Sequence, residues 1–225
     1  MTADQNNSNS LRIPLTIEMV RAANLIYLQL DRWQTADRAF AVLHTQVPGF
    51  NPEATLLKVA SVNALYWTQL YAIDRMSRHI EHILQEIAIE SAGIELVEAI
   101  ADLPMTDSQE HHRKHTSFAS KFLHFFVSRE RFPIYDSVAD WMVRQHLKRN
   151  LIFTDSANKY LAFCKNLDQL KVTSKIDVTN SELDRYLWLA GSLRKWKAGK
   201  IKEVNTELSD YFTHHQKESN VLLMD

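Results

Sequence analysis

Only 4 of the 225 residues are glycine, against roughly 16 at average usage, and this scarcity constrains the fold more than any other feature of the chain. Hairpin turns, β-bulges and Gly-rich phosphate loops all need backbone that glycine supplies, so hairpin-rich β folds, Rossmann folds and P-loops are excluded. With 5 prolines and 45% hydrophobic residues, the composition is that of a globular protein built from helices. Apolar positions recur with helical spacing, and no stretch alternates as a half-buried strand does.

The periodicity predicts an all-α chain of about nine to eleven helices in one globular domain, able to fold as two lobes with a cleft. Pro14 and Thr16 open the first segment, and Thr35 is a candidate cap for a second, which runs to the Pro48-Gly49 turn. Residues 53–90 break near Asp74, and a short helix near 94–102 ends before Pro104. Further helices are expected near 117–128, 136–149, 155–169, 180–197 and 202–216. Asp136, Asp155 and Thr179 or Asn180 are their candidate N-caps. Residues 1–12 read as a disordered tail. The start of the chain lacks a signal pattern and no apolar run is long enough to span a membrane, so the expectation is a soluble, cytoplasmic protein. Cys164, the single cysteine, reads as a small core hydrophobe. No metal or cofactor site is expected, because His111, His112 and His115 have no completing ligands.

The net charge of −1 conceals a strong asymmetry. Residues 1–112 carry 7 basic and 14 acidic side chains, residues 113–202 carry 18 and 8, and residues 203–225 carry 1 and 5. The central basic block is suited to a polyanion, since attraction to phosphate follows the local field. Its candidate phosphate contacts are Arg129, Arg131, Arg144, Lys148, Arg149, Lys195 and Lys197. Lys-rich solvated helix faces would give the same count.

Within this block, Lys121 stands among Phe118, Ala119, Phe122, Leu123 and Phe125, with Thr116 or Ser117 as a candidate cap. Burial and the positive end of a helix both disfavour an ammonium, which would expose a nucleophilic amine, whereas a lysine at the edge of an apolar face snorkels to water. Asp136 opens the next helix, and a turn over 128–135 could bring its carboxylate toward that amine. An amine and an acid facing one cleft are the minimum set for imine chemistry. Phe125, Phe132, Tyr135 and Trp141 lie close in sequence to this pair, and aromatics at helical spacing usually build cores. Asn63, Tyr66 and Thr68 are expected on one helix, where they could line the same cleft.

Ser117-Phe118-Ala119-Ser120-Lys121, with Asp136 downstream, resembles the helix-hairpin-helix DNA glycosylase superfamily, in particular its lyase-competent 8-oxoguanine DNA glycosylase type. The phrases SFASKFLHFF, FPIYDSVA, VNALYWTQLYAI and LDRYLWLAG look like a bacterial group with this glycosylase fold. The resemblance implies a hairpin-helix region over 113–150, with Lys121 as Schiff-base nucleophile and Asp136 as its catalytic partner. DNA is the implied ligand and base excision the implied activity, with Phe125, Phe132, Tyr135 and Trp141 as candidate aromatic faces for the flipped base. Ser117 and Ala119 stand where that hairpin carries glycines. The alternative is a non-catalytic helical module of the same fold that binds nucleic acid or protein.

Overall fold

A computed structural model describes residues 11–104, 113–148, 154, 158–201 and 205–223. Among the described residues the chain is all-α, with no strand. Its helices are α1 (Ile17–Tyr27), α2 (Asp31–Gln46), α3 (Pro52–Tyr66), α4 (Ile73–Glu86), α5 (Glu95–Ala101), α6 (Thr116–Phe126), α7 (Ser137–Leu147), α8 (Lys159–Ser174), α9 (Asn180–Lys197), α10 (Thr206–His214) and α11 (Gln216–Asn220). A 3-10 turn follows at Val221–Leu223. None of the described helices is long and apolar enough to cross a membrane.

A side-chain cap sets the start of five of the described helices, α1, α3, α7, α9 and α10. The Thr16 hydroxyl accepts from the Met19 amide, the Asn51 carboxamide accepts from Ala54 ahead of Pro52 at the first helical position, and the Asn205 side chain accepts from Leu208. Thr179 and Glu182 form a reciprocal capping box at α9, so Asn180 is helical and Thr179 is the cap. Three expectations are corrected. Helix α2 begins at Asp31, directly after the Leu28–Leu30 turn, which leaves Thr35 inside it. At α6 the residue before the helix is His115, so Thr116 and Ser117 belong to its first turn. Helix α8 runs on to Ser174, because nothing in residues 170–174 breaks it. Asp155 lies outside the described residues.

The chain divides into two compact units. Unit 1 comprises residues 1–34, 136–157 and 162–225, and unit 2 comprises residues 35–135 and 158–161. In unit 1, α9 packs against both α1 and α7. The contact with α7 is close: a Cβ placed on Gly191 would stand 2.7 Å from Val138 Cγ1 and 3.2 Å from the Val138 carbonyl oxygen. Buried His146 secures this unit internally. Its Nδ1 lies 2.9 Å from the Ile13 carbonyl and its Nε2 lies 3.1 Å from the Tyr186 hydroxyl. A carbonyl only accepts, so Nδ1 carries the proton and Nε2 accepts from tyrosine. Burial, with a smaller push from the Arg194 charge, takes this imidazole down to about 4.

In unit 2, α3 packs on α4 and α6, and α5 packs on α4 and α6. Its core is aromatic: Phe40 stacks on Phe125 with ring centroids 4.4 Å apart, and Phe122 meets Phe126 edge-on at 5.5 Å. Into this core the chain sends a lysine. Lys58 is 0% exposed, its amine donates to the Gly49 carbonyl, and it lies 4.6 Å from the Phe50 ring. Gly49 turns at φ +72°, a conformation that L side chains rarely adopt, in the Pro-Gly turn read from the sequence. Burial holds the Lys58 amine below its ordinary value.

Candidate functional site

Helix α6 carries a polar stripe through an otherwise apolar sequence. Ser117, Ser120, Lys121 and His124 follow at intervals of three, one and three, which places them along one helical face. That stripe meets the chain leading toward α7. Segment 132–135 is neither helix nor strand, and Phe132, Pro133 and Ile134 are buried, so its main-chain polar groups need partners from outside regular structure. The stripe supplies them. Ser120 Oγ accepts from the Tyr135 amide at 3.0 Å, His124 Nδ1 lies 2.9 Å from the Phe132 carbonyl, and Lys121 Nζ donates to the Tyr135 carbonyl at 3.5 Å. From α8, the Tyr160 hydroxyl donates to Pro133 O at 3.0 Å.

Lys121 is 5% exposed and does not snorkel. Its amine also donates to Ser117 Oγ at 2.7 Å and to the Ser117 carbonyl at 3.5 Å, and it stands 5.8 Å from the centroid of the Tyr66 ring. The stretch compared with the glycosylase hairpin, Ser117 to Lys121, is helical throughout. Without glycines, Ser117 and Ala119 adopt ordinary helical backbone, and no anion-cradling loop forms from these five residues.

Lys121 belongs to unit 2 and Asp136 to unit 1. Asp136 caps α7, with one carboxylate oxygen accepting from the Val138 and Ala139 amides at 2.7 Å each. Within unit 1 it shares its surroundings with two other residues chosen from sequence. The Lys195 amine lies 5.1 Å from the Trp141 ring, burial lowers the Lys195 pKa, and the Asp136 charge opposes that shift.

The other candidate aromatics lie in unit 2. Phe132 is fully buried, Phe125 is locked in the Phe40 stack, and Tyr135 is half-buried with its backbone held by α6. The basic candidates are largely engaged. Arg129 pairs with Asp37 at 3.4 Å, Arg131 donates to the Ile89 and Glu90 carbonyls at 2.6 Å each, and Arg144 pairs with Asp140 at 2.9 Å. Lys148 is exposed at the end of α7 with φ +41°. Arg149, His111 and His112 lie outside the described residues. Among the described residues, no group of three or more His, Cys, Asp or Glu side chains is arranged to hold a metal ion.

Asn63 and Tyr66 are on α3, whereas Thr68 lies in the loop beyond it. The Asn63 side chain grips that loop, accepting from Thr68 Oγ1 and the Leu70 amide while donating to the Leu70 carbonyl. This clamp supports two non-glycine residues at positive φ, Trp67 at +49° and Gln69 at +55°. Trp67 and Tyr71 are thereby displayed at 76% and 91% exposure.

Several contributors escaped sequence reasoning. Ser120, His124 and Tyr160 act through main-chain contacts; the spacing of polar residues along α6 was the only signal for the first two, and Tyr160, on α8, had none. Arg12 was assigned to a disordered tail, yet its amide donates to the His146 carbonyl at 2.8 Å and its guanidinium to Gln145 Oε1 at 3.2 Å.

A family model for the N-terminal domain HI_0787_N matches residues 19–131, just over half of the chain. The chain belongs to the HI_0787_N family. No curated protein and no solved structure gives a significant match. The HI_0787_N segment includes the whole of α6, with Lys121, and ends four residues short of Tyr135, the last residue of the longer segment of unit 2. It also includes most of α1, which is part of unit 1.

Proposed function

We propose that this protein is a DNA glycosylase with lyase activity of the helix-hairpin-helix type, in which Lys121 forms a Schiff base with the sugar of a damaged or abasic nucleotide. One observation carries the reading: a lysine amine is held inside the protein, 2.7 Å from the Ser117 hydroxyl, on the stripe that grips the chain leading into Asp136. A structural surface lysine would leave its amine in water. Only an uncharged amine has a lone pair to donate. That lone pair attacks C1′, the base departs with a proton, and opening of the sugar gives an imine on Nζ. Ser117 is placed to relay the proton that the amine sheds, and the resemblance assigns the acid–base role to the Asp136 carboxylate.

The test is covalent trapping. Borohydride should link the protein to an oligonucleotide holding an abasic site, and Lys121→Gln should abolish the adduct while the helical circular dichroism persists. An adduct that survives Lys121→Gln, or its absence from the wild type across damaged and abasic substrates, overturns the proposal. The competing reading, a non-catalytic module of the same fold, is favoured by the internal engagement of Arg129, Arg131 and Arg144. It expects salt-dependent binding without an adduct.

A further inference from the structure

Unit 1 contains a cavity of about 400 Å³ in which α7, α9 and the segment before α1 converge. Helix α7 contributes Trp141 and Gln145, one turn apart, while α9 contributes Arg194 and Lys197, and Arg12 closes the rim. The rim is built in rather than incidental. Backbone and side-chain bonds from Arg12 to His146 and Gln145, together with the His146 to Ile13 bond, fix residues 12–13 against α7. Two of the three cations are left with neutral partners. Arg12 donates to the Gln145 amide oxygen, and Lys197 donates to Asn220 Oδ1 at 2.5 Å. Nothing in those contacts cancels their charge.

Arg12 and Lys197, two cations whose neutral partners leave their charge in place, match a dianionic phosphate monoester better than a monoanionic diester, and an indole at the wall suits a planar heterocycle. The volume lies within the range of small-molecule sites. From these features we infer that the cavity binds a nucleoside 5′-monophosphate unit, its phosphate between Arg12, Arg194 and Lys197 and its base against Trp141. This chemistry is offered both by free nucleotides and by the 5′-phosphorylated end of a strand. The inference rests on unit 1 alone and does not require Lys121.

Calorimetric titration of the full chain with adenosine 5′-monophosphate, adenosine and inorganic phosphate provides the test. The nucleotide should bind at least about tenfold more tightly than either fragment. Lys197→Gln and Arg12→Gln, both exposed positions, should each weaken it about tenfold without changing the melting temperature, and Lys121→Gln should leave it unchanged. A parallel titration with 5′-phosphorylated and 5′-hydroxyl oligonucleotides identifies the source. Preference for the phosphorylated strand assigns a strand end, and binding of the nucleotide alone assigns a free metabolite. Equal affinity for nucleotide and adenosine, equal affinity for nucleotide and phosphate, or indifference to both charge substitutions refutes the inference.

Discussion

His146 offers a test of the packing in unit 1 that needs no ligand. The folded imidazole titrates at about 4, while the unfolded chain should titrate near the ordinary value of 6.5. Between those values the unfolded state holds a proton that the folded state refuses, so stability must rise with pH. At about pH 7 both states are mostly neutral, and at about pH 5 the unfolded histidine is almost fully charged. The difference amounts to about 2 kcal/mol of stability lost on acidification across that window. Exposed His44 and half-buried His79, both held low by partial desolvation, act in the same direction, so wild type must be compared with His146→Gln. Urea unfolding followed by circular dichroism at both pH values should show the wild type losing about 2 kcal/mol more than the variant. In parallel, imidazole chemical shifts should report a neutral His146 at about pH 5 in the folded protein. Equal acid sensitivity of the two proteins, or a His146 that titrates near its ordinary value, would show that the Ile13 and Tyr186 contacts do not bury the ring as described.

Asp136 can be separated into cap and chemistry. Asp136→Ala should destabilise α7 by about 1 kcal/mol in chemical denaturation, whereas Asp136→Asn, which still accepts from the Val138 and Ala139 amides, should stay within about 0.5 kcal/mol of wild type. If the carboxylate is also catalytic, Asp136→Asn should slow borohydride trapping at least about tenfold despite normal stability. At Gly191, alanine gains up to about 1 kcal/mol of helix propensity but drives its methyl to 2.7 Å from Val138 Cγ1. A net loss of about 1–2 kcal/mol is expected, and an unchanged or raised melting temperature would show that α7 can yield.

The fold was legible where its determinants are local. Thr16, Asp136 and Thr179 each announce a helix because the capping bond spans only two or three residues. The start of α2 was not, since Thr35 looks like a cap while the start depends on the tight turn between Tyr27 and Leu30. The candidate site was legible in identity but not in environment. Lys121 and Asp136 could be picked out by residue type and spacing, yet the burial of the amine follows from main-chain groups of Phe132 and Tyr135 brought onto α6 by tertiary structure. The same holds for Arg12, whose role depends on Gln145 and His146, more than 130 positions along the chain.

The order of segments in unit 1 has a consequence for how the molecule is made and for how it can be cut. Helix α1, which buries Met19, Val20, Ala23 and Ile26, leaves the ribosome well before α9, on which it packs. During that delay the apolar side of α1 has no native cover, while every residue of unit 2 except its three or four from the start of α8 is already available to collapse. A fragment trimmed to residues 19–131 would make the delay permanent and should be sticky, so the matched family segment is a unit of descent and a poor choice for expression.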